Sequence, residues 1–216
     1  MTFNTSEYEK ICSFIKENKE KIKKNPEIIA ISKNQSKESV EQAINYGIRL
    51  FGENRVQEAI KKFTDLKKEH CDLKLHLTGP LQTNKVKQAI KIFDVFHTLD
   101  REKLAIEFSK HKADISEKKF FIQVNIGKEK QKIGIFPDYV ESFVNYCLAD
   151  LNLNVIGLMI IPPQYENPDE YFFQLYSLAK ENNLEFLSMG MSSDYKKALL
   201  NGASHIRVGT LLFGER

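Results

Sequence analysis

The chain has 216 residues, of which 42% are hydrophobic and 28% charged, and its formal net charge is +3. This length and hydrophobic content suit one α/β domain with a single sizeable core, and the near balance of charge argues against nucleic-acid binding. The first residues lack the basic and apolar regions of a secretory signal, and no window approaches 18 uncharged apolar residues. We therefore expect a cytoplasmic protein without membrane contact.

The three cysteines are Cys12, Cys71 and Cys147. They are odd in number, far apart, and not arranged as a C-x-x-C pair or beside histidines at metal-ligand spacing. We predict reduced thiols and no metal site.

The chain opens with a helical pattern and continues as alternating strands and helices. Tyr8, Ile11 and Ile15 recur at helical spacing between charged residues, which predicts an amphipathic helix ahead of the first strand. Asn167 followed by Pro168 marks the start of a later helix. Strands are predicted at 27–33, 47–53, 73–78, 93–98, 119–126, 153–161, 185–190 and 205–209, with seven helical patterns between them.

Strict alternation of strand and helix requires a parallel sheet, which is either doubly wound or closed into a barrel. Eight strands favour the barrel, and the first strand is followed by 33–36, Lys-Asn-Gln-Ser, rather than by a glycine-rich nucleotide loop. The predicted fold is a single (β/α)8 TIM-type barrel over residues 1–216, with an extra N-terminal helix. In either architecture ligands bind at the C-terminal ends of the strands.

Lys33 follows the first predicted strand and so stands at this ligand-binding end. On local sequence alone it reads as a solvated loop residue. The alternative is a partly desolvated amine, because a lysine that loses solvation has a lowered pKa and its neutral form can attack an aldehyde. A partner that holds such an aldehyde would decide between the two.

Candidate partners follow the last two strands. Ser192 lies in the turn 188–194, where backbone N–H groups and hydroxyls suit a phosphate, although Ser193 and Asp194 can equally serve only as a helix cap. In the last strand Arg207 shares a face with Gly209, and Thr210 follows. A closed barrel brings these residues beside Lys33, at the usual phosphate site of this architecture.

Together, several segments resemble the pyridoxal phosphate homeostasis protein family. The segments are 30–33, 51–58, 76–85, 97–101, 123–134, 157–159, 190–194 and 207–214, in family order across nearly the whole chain. One departure is visible: residues 75–79 read Leu-His-Leu-Thr-Gly where the family usually has Trp-His-Phe-Ile-Gly, and this chain has no tryptophan. That departure puts aromatic packing near the third strand in doubt.

The resemblance implies a barrel similar to the N-terminal domain of alanine racemase (fold type III), with pyridoxal 5'-phosphate (PLP) bound as an aldimine. It implies that Lys33 forms the Schiff base and that Arg207 faces the pyridine nitrogen of the cofactor. Phosphate contacts fall to Ser192, Gly209, Thr210 and the backbone N–H of Met191; Asn54 and His76 are carried as pocket residues. His76 is as compatible with a satisfied core residue.

Two functions remain open at this point. The leading hypothesis is a PLP carrier without strong catalytic activity, acting in vitamin B6 and amino-acid homeostasis and delivering the cofactor to apo-enzymes. The alternative is a minimal amino-acid racemase, which needs two positioned acid/base groups. In the related racemases the second group comes from a further domain, and we expect this chain to lack that domain and to be a monomer.

Overall fold

The computed structural model describes residues 2–22 and 24–214 and forms a closed barrel of eight parallel strands, confirming the predicted fold class. The strands pair in sequence order, and β8 closes the barrel onto β1. They are β1 Glu27–Ile31, β2 Leu50–Glu53, β3 Lys74–Leu77, β4 Val95–Leu99, β5 Lys119–Gln123, β6 Val155–Met159, β7 Phe186–Ser188 and β8 His205–Val208.

Helices cover the barrel and include the predicted N-terminal one. They are α1 Thr5–Glu17, α2 Lys37–Tyr46, α3 Val56–Glu69, α4 Val86–Ile92, α5 Glu102–Ser109, α6 Lys112–Ile115, α7 Val140–Asn145, α8 Pro168–Glu181, α9 Tyr195–Leu200 and α10 Thr210–Phe213. Helix α7 continues as a π-helical turn over Tyr146–Asp150. Ser36 caps α2 and Asn167 caps α8, both through side-chain oxygens that accept backbone N–H groups.

All eight strands are shorter than predicted, because the ends of the apolar runs leave the sheet. The second strand was expected from residue 47, but Gly47 adopts φ +109° and ends α2, so β2 begins only at Leu50. The seventh strand was expected over 185–190 and pairs only over Phe186–Ser188. Sheet pairing stops where the chain must turn toward its helix.

The barrel has two apolar layers, set by the alternation of side chains along each strand. The outer layer fills the space between strands and helices, as in the packing of Phe51 against Phe63 at a centroid distance of 5.4 Å. A separate small cluster of Val95, Phe121 and Met159 lies inside the barrel. Polar side chains share that interior and lead toward the site described next.

Cys12 and Cys71 are exposed and Cys147 is buried, and all three are free thiols, as predicted. Burial raises the pKa of the Cys147 thiol to about 12, so this residue stays protonated. Within residues 2–22 and 24–214, no set of three or more potential ligands is grouped to hold a metal ion. In the same part of the chain, no helix has the length and apolarity to cross a membrane.

Candidate functional site

A cavity of about 300 Å³ opens at the C-terminal end of the barrel and brings together residues from opposite ends of the chain. Its volume lies at the lower end of the range for small-molecule sites. Seven of the predicted cofactor residues line it: Lys33, Asn54, Met191, Ser192, Arg207, Gly209 and Thr210. Four further lining residues went unassigned in the sequence: Ile31, Thr78, Ile161 and Ser193.

Lys33 enters this cavity because of its position just beyond β1. Ile29 and Ile31 are the inward-facing residues of that strand, and Lys33 continues the same alternation at the barrel mouth. The residue after it, Asn34, turns the chain toward α2 with φ +59°. Lys33 therefore projects from the end of a rigid strand rather than from a long loop.

The backbone on both sides of Lys33 is held by one ion cluster on α3. The ammonium group of Lys62 donates to the carbonyl oxygen of Ser32 at 2.7 Å, and the backbone N–H of Asn34 donates to the carboxylate of Glu58. Lys62 also contacts the Glu58 carboxylate at 3.1 Å. The cluster thus fixes the residues immediately before and after the candidate reactive lysine.

Glu53 lies beneath this cluster and is completely buried. Its carboxylate accepts hydrogen bonds from the Ser32 hydroxyl and from the Lys62 ammonium group, both at 2.7 Å. Burial raises the pKa of Glu53 above its usual value, although Lys62 and Ser32 act in the opposite direction. In the sequence, Lys62 reads as an ordinary solvated helix residue, so its role here had no local signal.

Arg207 forms the wall of the cavity on the β8 side and is only 5% exposed. Its guanidinium group donates to the Ser188 hydroxyl at 2.6 Å and to the carbonyl oxygen of Ile160 at 2.8 Å. Burial lowers the pKa of Arg207 to about 10, and Asp194 partly offsets that effect. The group therefore keeps its positive charge at neutral pH.

The loop after β7 and the start of α10 contribute the hydroxyl groups that line the cavity next to β8. The backbone N–H of Gly209 donates to the Ser192 hydroxyl oxygen at 3.3 Å, which ties the two loops together. A Cβ atom at position 209 would lie 3.4 Å from Ile31, which is an ordinary van der Waals distance, so the chain passes Ile31 here without a clash. Hydroxyl groups and backbone N–H groups in such turns suit a phosphate.

Met191 was predicted to contact the phosphate through its backbone N–H. Its backbone N–H donates to the carboxylate of Asp194 at 2.6 Å and so already has an acceptor. Met191 lines the cavity, but a phosphate contact through its N–H would have to displace Asp194. Asp194 precedes α9 without capping it through its side chain, so its carboxylate serves the loop instead.

Asn54 sits at the rim above β2, where the Thr78 hydroxyl donates to its side-chain oxygen at 2.9 Å. Gly79 packs against it so closely that an added Cβ would lie 2.4 Å from the Asn54 carbonyl oxygen. Position 75, where the family tryptophan is replaced, is a buried leucine in the outer layer. The position at which the family has its tryptophan therefore faces the helices and not the cavity.

His76 is placed differently from the prediction, because it does not line the cavity. It is 2% exposed and lies inside the barrel, where its Nδ1 atom is 2.9 Å from Nε2 of His97. Burial, together with His205, lowers the pKa of His76 to about 3, so its imidazole is neutral. The assignment of His76 to the cofactor pocket has no geometric support, and the alternative of a satisfied core histidine describes it.

The buried histidines are linked to the cavity through Arg207. His97 Nδ1 lies 2.7 Å from the Ser188 hydroxyl, the same hydroxyl that accepts from Arg207. Arg207 can only donate, so the Ser188 hydroxyl proton is free for His97 Nδ1; in the tautomer that accepts it, His97 Nε2–H donates to His76. Burial also lowers the pKa of His97, so the chain consists of neutral imidazoles behind a charged guanidinium.

Comparison with known proteins agrees with this geometry. The family model described as "Alanine racemase, N-terminal domain" matches residues 10–216, which defines the class of the barrel. A pyridoxal phosphate homeostasis protein of Aquifex aeolicus is 42% identical over 200 residues, covering 88% of this chain and 86% of the relative. Another, from Vibrio cholerae, is 36% identical and covers 88% of this chain and 85% of the relative. The chain belongs to the pyridoxal phosphate homeostasis protein family.

Solved structures place the fold in the same group. PipY of Synechococcus elongatus with PLP bound superposes with a TM-score of 0.81 at 32% identity, covering 94% of this chain and all of PipY. An alanine racemase of Acinetobacter baumannii has a TM-score of 0.71 at 16% identity, with coverage of 94% of this chain and 60% of that enzyme. The second likeness concerns the barrel fold alone.

Proposed function

We propose that this chain binds pyridoxal 5'-phosphate in the 300 Å³ cavity, covalently through Lys33, and acts as an intracellular store of the cofactor. The observation that carries the proposal is that one cavity collects an amine from β1 and a guanidinium and hydroxyl groups from β7 and β8. Family membership supports it, as does the PLP-bound structure of PipY.

Each part of the cavity has a defined task in this proposal. The cofactor supplies an aldehyde that forms a Schiff base with a primary amine, and Lys33 supplies that amine. Arg207 would face the ring nitrogen of the cofactor. A guanidinium group only donates hydrogen bonds, so it pairs with an unprotonated ring nitrogen and disfavours the protonated form. The hydroxyl groups of Ser192 and Thr210 bind the phosphate, and the Gly209 N–H joins them by giving up its long 3.3 Å hydrogen bond to the Ser192 oxygen.

The same cavity favours storage over turnover. Racemisation needs one acid/base group on each face of the substrate. Among the described residues that line the cavity, Lys33 is the only side chain suited to that task, since no Asp, Glu, His, Cys or Tyr accompanies it and Arg207 stays charged. We infer a monomeric, cytoplasmic carrier that passes the cofactor to apo-enzymes and so affects vitamin B6 and amino-acid homeostasis.

The test is to locate the covalent link. Purified protein incubated with PLP is expected to absorb visible light, and borohydride reduction should add the cofactor mass to the peptide that contains Lys33. Lys33→Ala is expected to lose both signals. Lys118→Ala is the matched control, because Lys118 is also half-buried but lies just ahead of β5, at the other end of the barrel. Modification of a different peptide in the wild-type protein would show the assignment to be wrong.

A second experiment separates storage from racemisation. The loaded protein is incubated with single amino-acid enantiomers in deuterated water, and deuterium at the α-carbon is followed by NMR. We expect no exchange above that given by free PLP. Faster exchange that disappears in Lys33→Ala would favour the racemase.

A further inference from the structure

A second, larger cavity lies beside the first at the same end of the barrel. Its volume is about 970 Å³, and it shares the wall formed by Asn54 with the cofactor cavity. It is built by the loops after β2, β3 and β4, the N-terminal part of α3 and the segment that carries Ile133. The segments 51–58, 76–85, 97–101 and 123–134, which carry much of the family resemblance, meet here, yet apart from Asn54 and Thr78 none of their residues lines the cofactor cavity.

The wall of this cavity carries an excess of positive charge. Its two carboxylates are already paired, Glu58 with Lys62 at 3.1 Å and Asp100 with Arg101. Arg55, Lys61 and Lys85 also line it, and they have no ion-pair partner among residues 2–22 and 24–214. Three uncompensated cations around one concave surface attract an anion.

The backbone adds donors to the same wall. Helix α3 has 14 residues and follows Arg55. The side chain of Arg55 does not cap the helix, so it accepts no hydrogen bond from the N–H groups of the first turn. Val56, Gln57 and Glu58 of that turn all line the cavity. A helix N-terminus beside an arginine and two lysines is suited to a phosphate group more than to a single carboxylate, because a phosphate offers more acceptors.

The shape of the cavity favours a small molecule over a protein surface. Its volume lies within the range of small-molecule sites, and Pro80, Leu81 and Ile133 add apolar surface to its lining. We propose that this cavity is a second anion site, which binds the phosphate group of a small organic phosphate next to the stored cofactor. The inference rests on the described cations and does not require the cofactor to be present.

Calorimetric titration with inorganic phosphate, pyrophosphate and glycerol 3-phosphate tests this proposal, with glycerol as the neutral control. The protein is first loaded with PLP and reduced with borohydride, so that the first cavity is closed to the added phosphate. The test variant combines Arg55→Met, Lys61→Met and Lys85→Met, which remove the charges but keep much of the apolar stems. Its match combines Lys16→Met, Lys19→Met and Lys21→Met, three exposed lysines of the N-terminal region.

We expect the phosphates to bind the wild type and the α1-side control alike, and the cavity variant to bind at least about tenfold more weakly. Equal weakening in both triple variants would show only a net-charge effect and overturn the site, as would unchanged binding in the cavity variant. If the chain does not load PLP, the proposed function fails, but the comparison of the two triple variants in unloaded protein still decides this inference.

Discussion

Replacing Lys62 by methionine tests the ion cluster that holds the Lys33 backbone. The lysine side chain is 6% exposed, and its ammonium group serves the buried carboxylate of Glu53, the Ser32 carbonyl oxygen and Glu58. Methionine fills much of the same volume but leaves the Glu53 charge unpaired. Removing one partner of a buried ion pair costs about 3–5 kcal/mol of unfolding free energy.

The loss should depend on pH, because Glu53 can escape it by taking up a proton. Its pKa in the folded protein already lies above the usual 4.5, and Lys62 is the main influence that lowers it. Without Lys62 that pKa rises further, so between pH 4.5 and the raised pKa of the folded state the variant binds more protons folded than unfolded. Its stability therefore falls as pH rises, by up to about 1.4 kcal/mol per pH unit for this one group.

Urea unfolding followed by circular dichroism at about pH 6 and about pH 8 measures the effect. We expect a larger deficit at the higher pH, and we expect Glu53→Gln in the same variant to reduce the deficit at the higher pH. Lys68→Met is the control, since Lys68 and its partner Asp65 are both exposed and should matter little at either pH. A deficit of the same size at both pH values, or a larger one at pH 6, would refute the reasoning.

Three further changes test the surroundings of the cavity. Ser188→Ala removes an acceptor of Arg207, which should lower the free energy of unfolding by about 1–3 kcal/mol and shift the visible absorbance of bound cofactor. An unchanged spectrum would contradict a contact between Arg207 and the cofactor ring. His97 has a lowered pKa, so it contributes stability above its unfolded value near 6.5 that is lost as pH falls; His97→Gln should flatten this acid slope in urea titrations. Gly79→Ala would push its Cβ against the Asn54 backbone, so we expect about 1–3 kcal/mol of destabilisation and weaker PLP retention in dialysis, and unaltered retention would contradict the role of that rim.

The fold followed from the sequence because its signals are local and repeated. Eight apolar runs, each followed by a helical pattern, require a parallel arrangement whatever the details of packing, and the count favours closure into a barrel. The exact strand limits did not follow, since Gly47 ends its helix through a left-handed backbone conformation that shortens β2. Pairing between strands, and not apolar character alone, sets those limits.

The candidate site was partly predictable for a similar reason. Lys33 and Arg207 stand at or just beyond strand ends, and closure of a barrel necessarily brings the first and last strands together. Strand alternation also turns His76 inward. Whether an inward residue reaches the cavity or stays deeper in the barrel depends on its height along the axis, which only the register between strands sets.

Chain order was therefore enough to predict the class of fold, the end of the barrel that carries the candidate cavity and the residues at the ends of β1 and β8. The burial of Lys62 under the Ser32 carbonyl, and the meeting of Arg55, Lys61 and Lys85 at one cavity, depend instead on contacts between segments that are distant in sequence. From sequence alone, a charged residue on a helix is interpreted as solvated. Lys62 is buried because the loop that carries Ser32, 30 residues away in sequence, covers it.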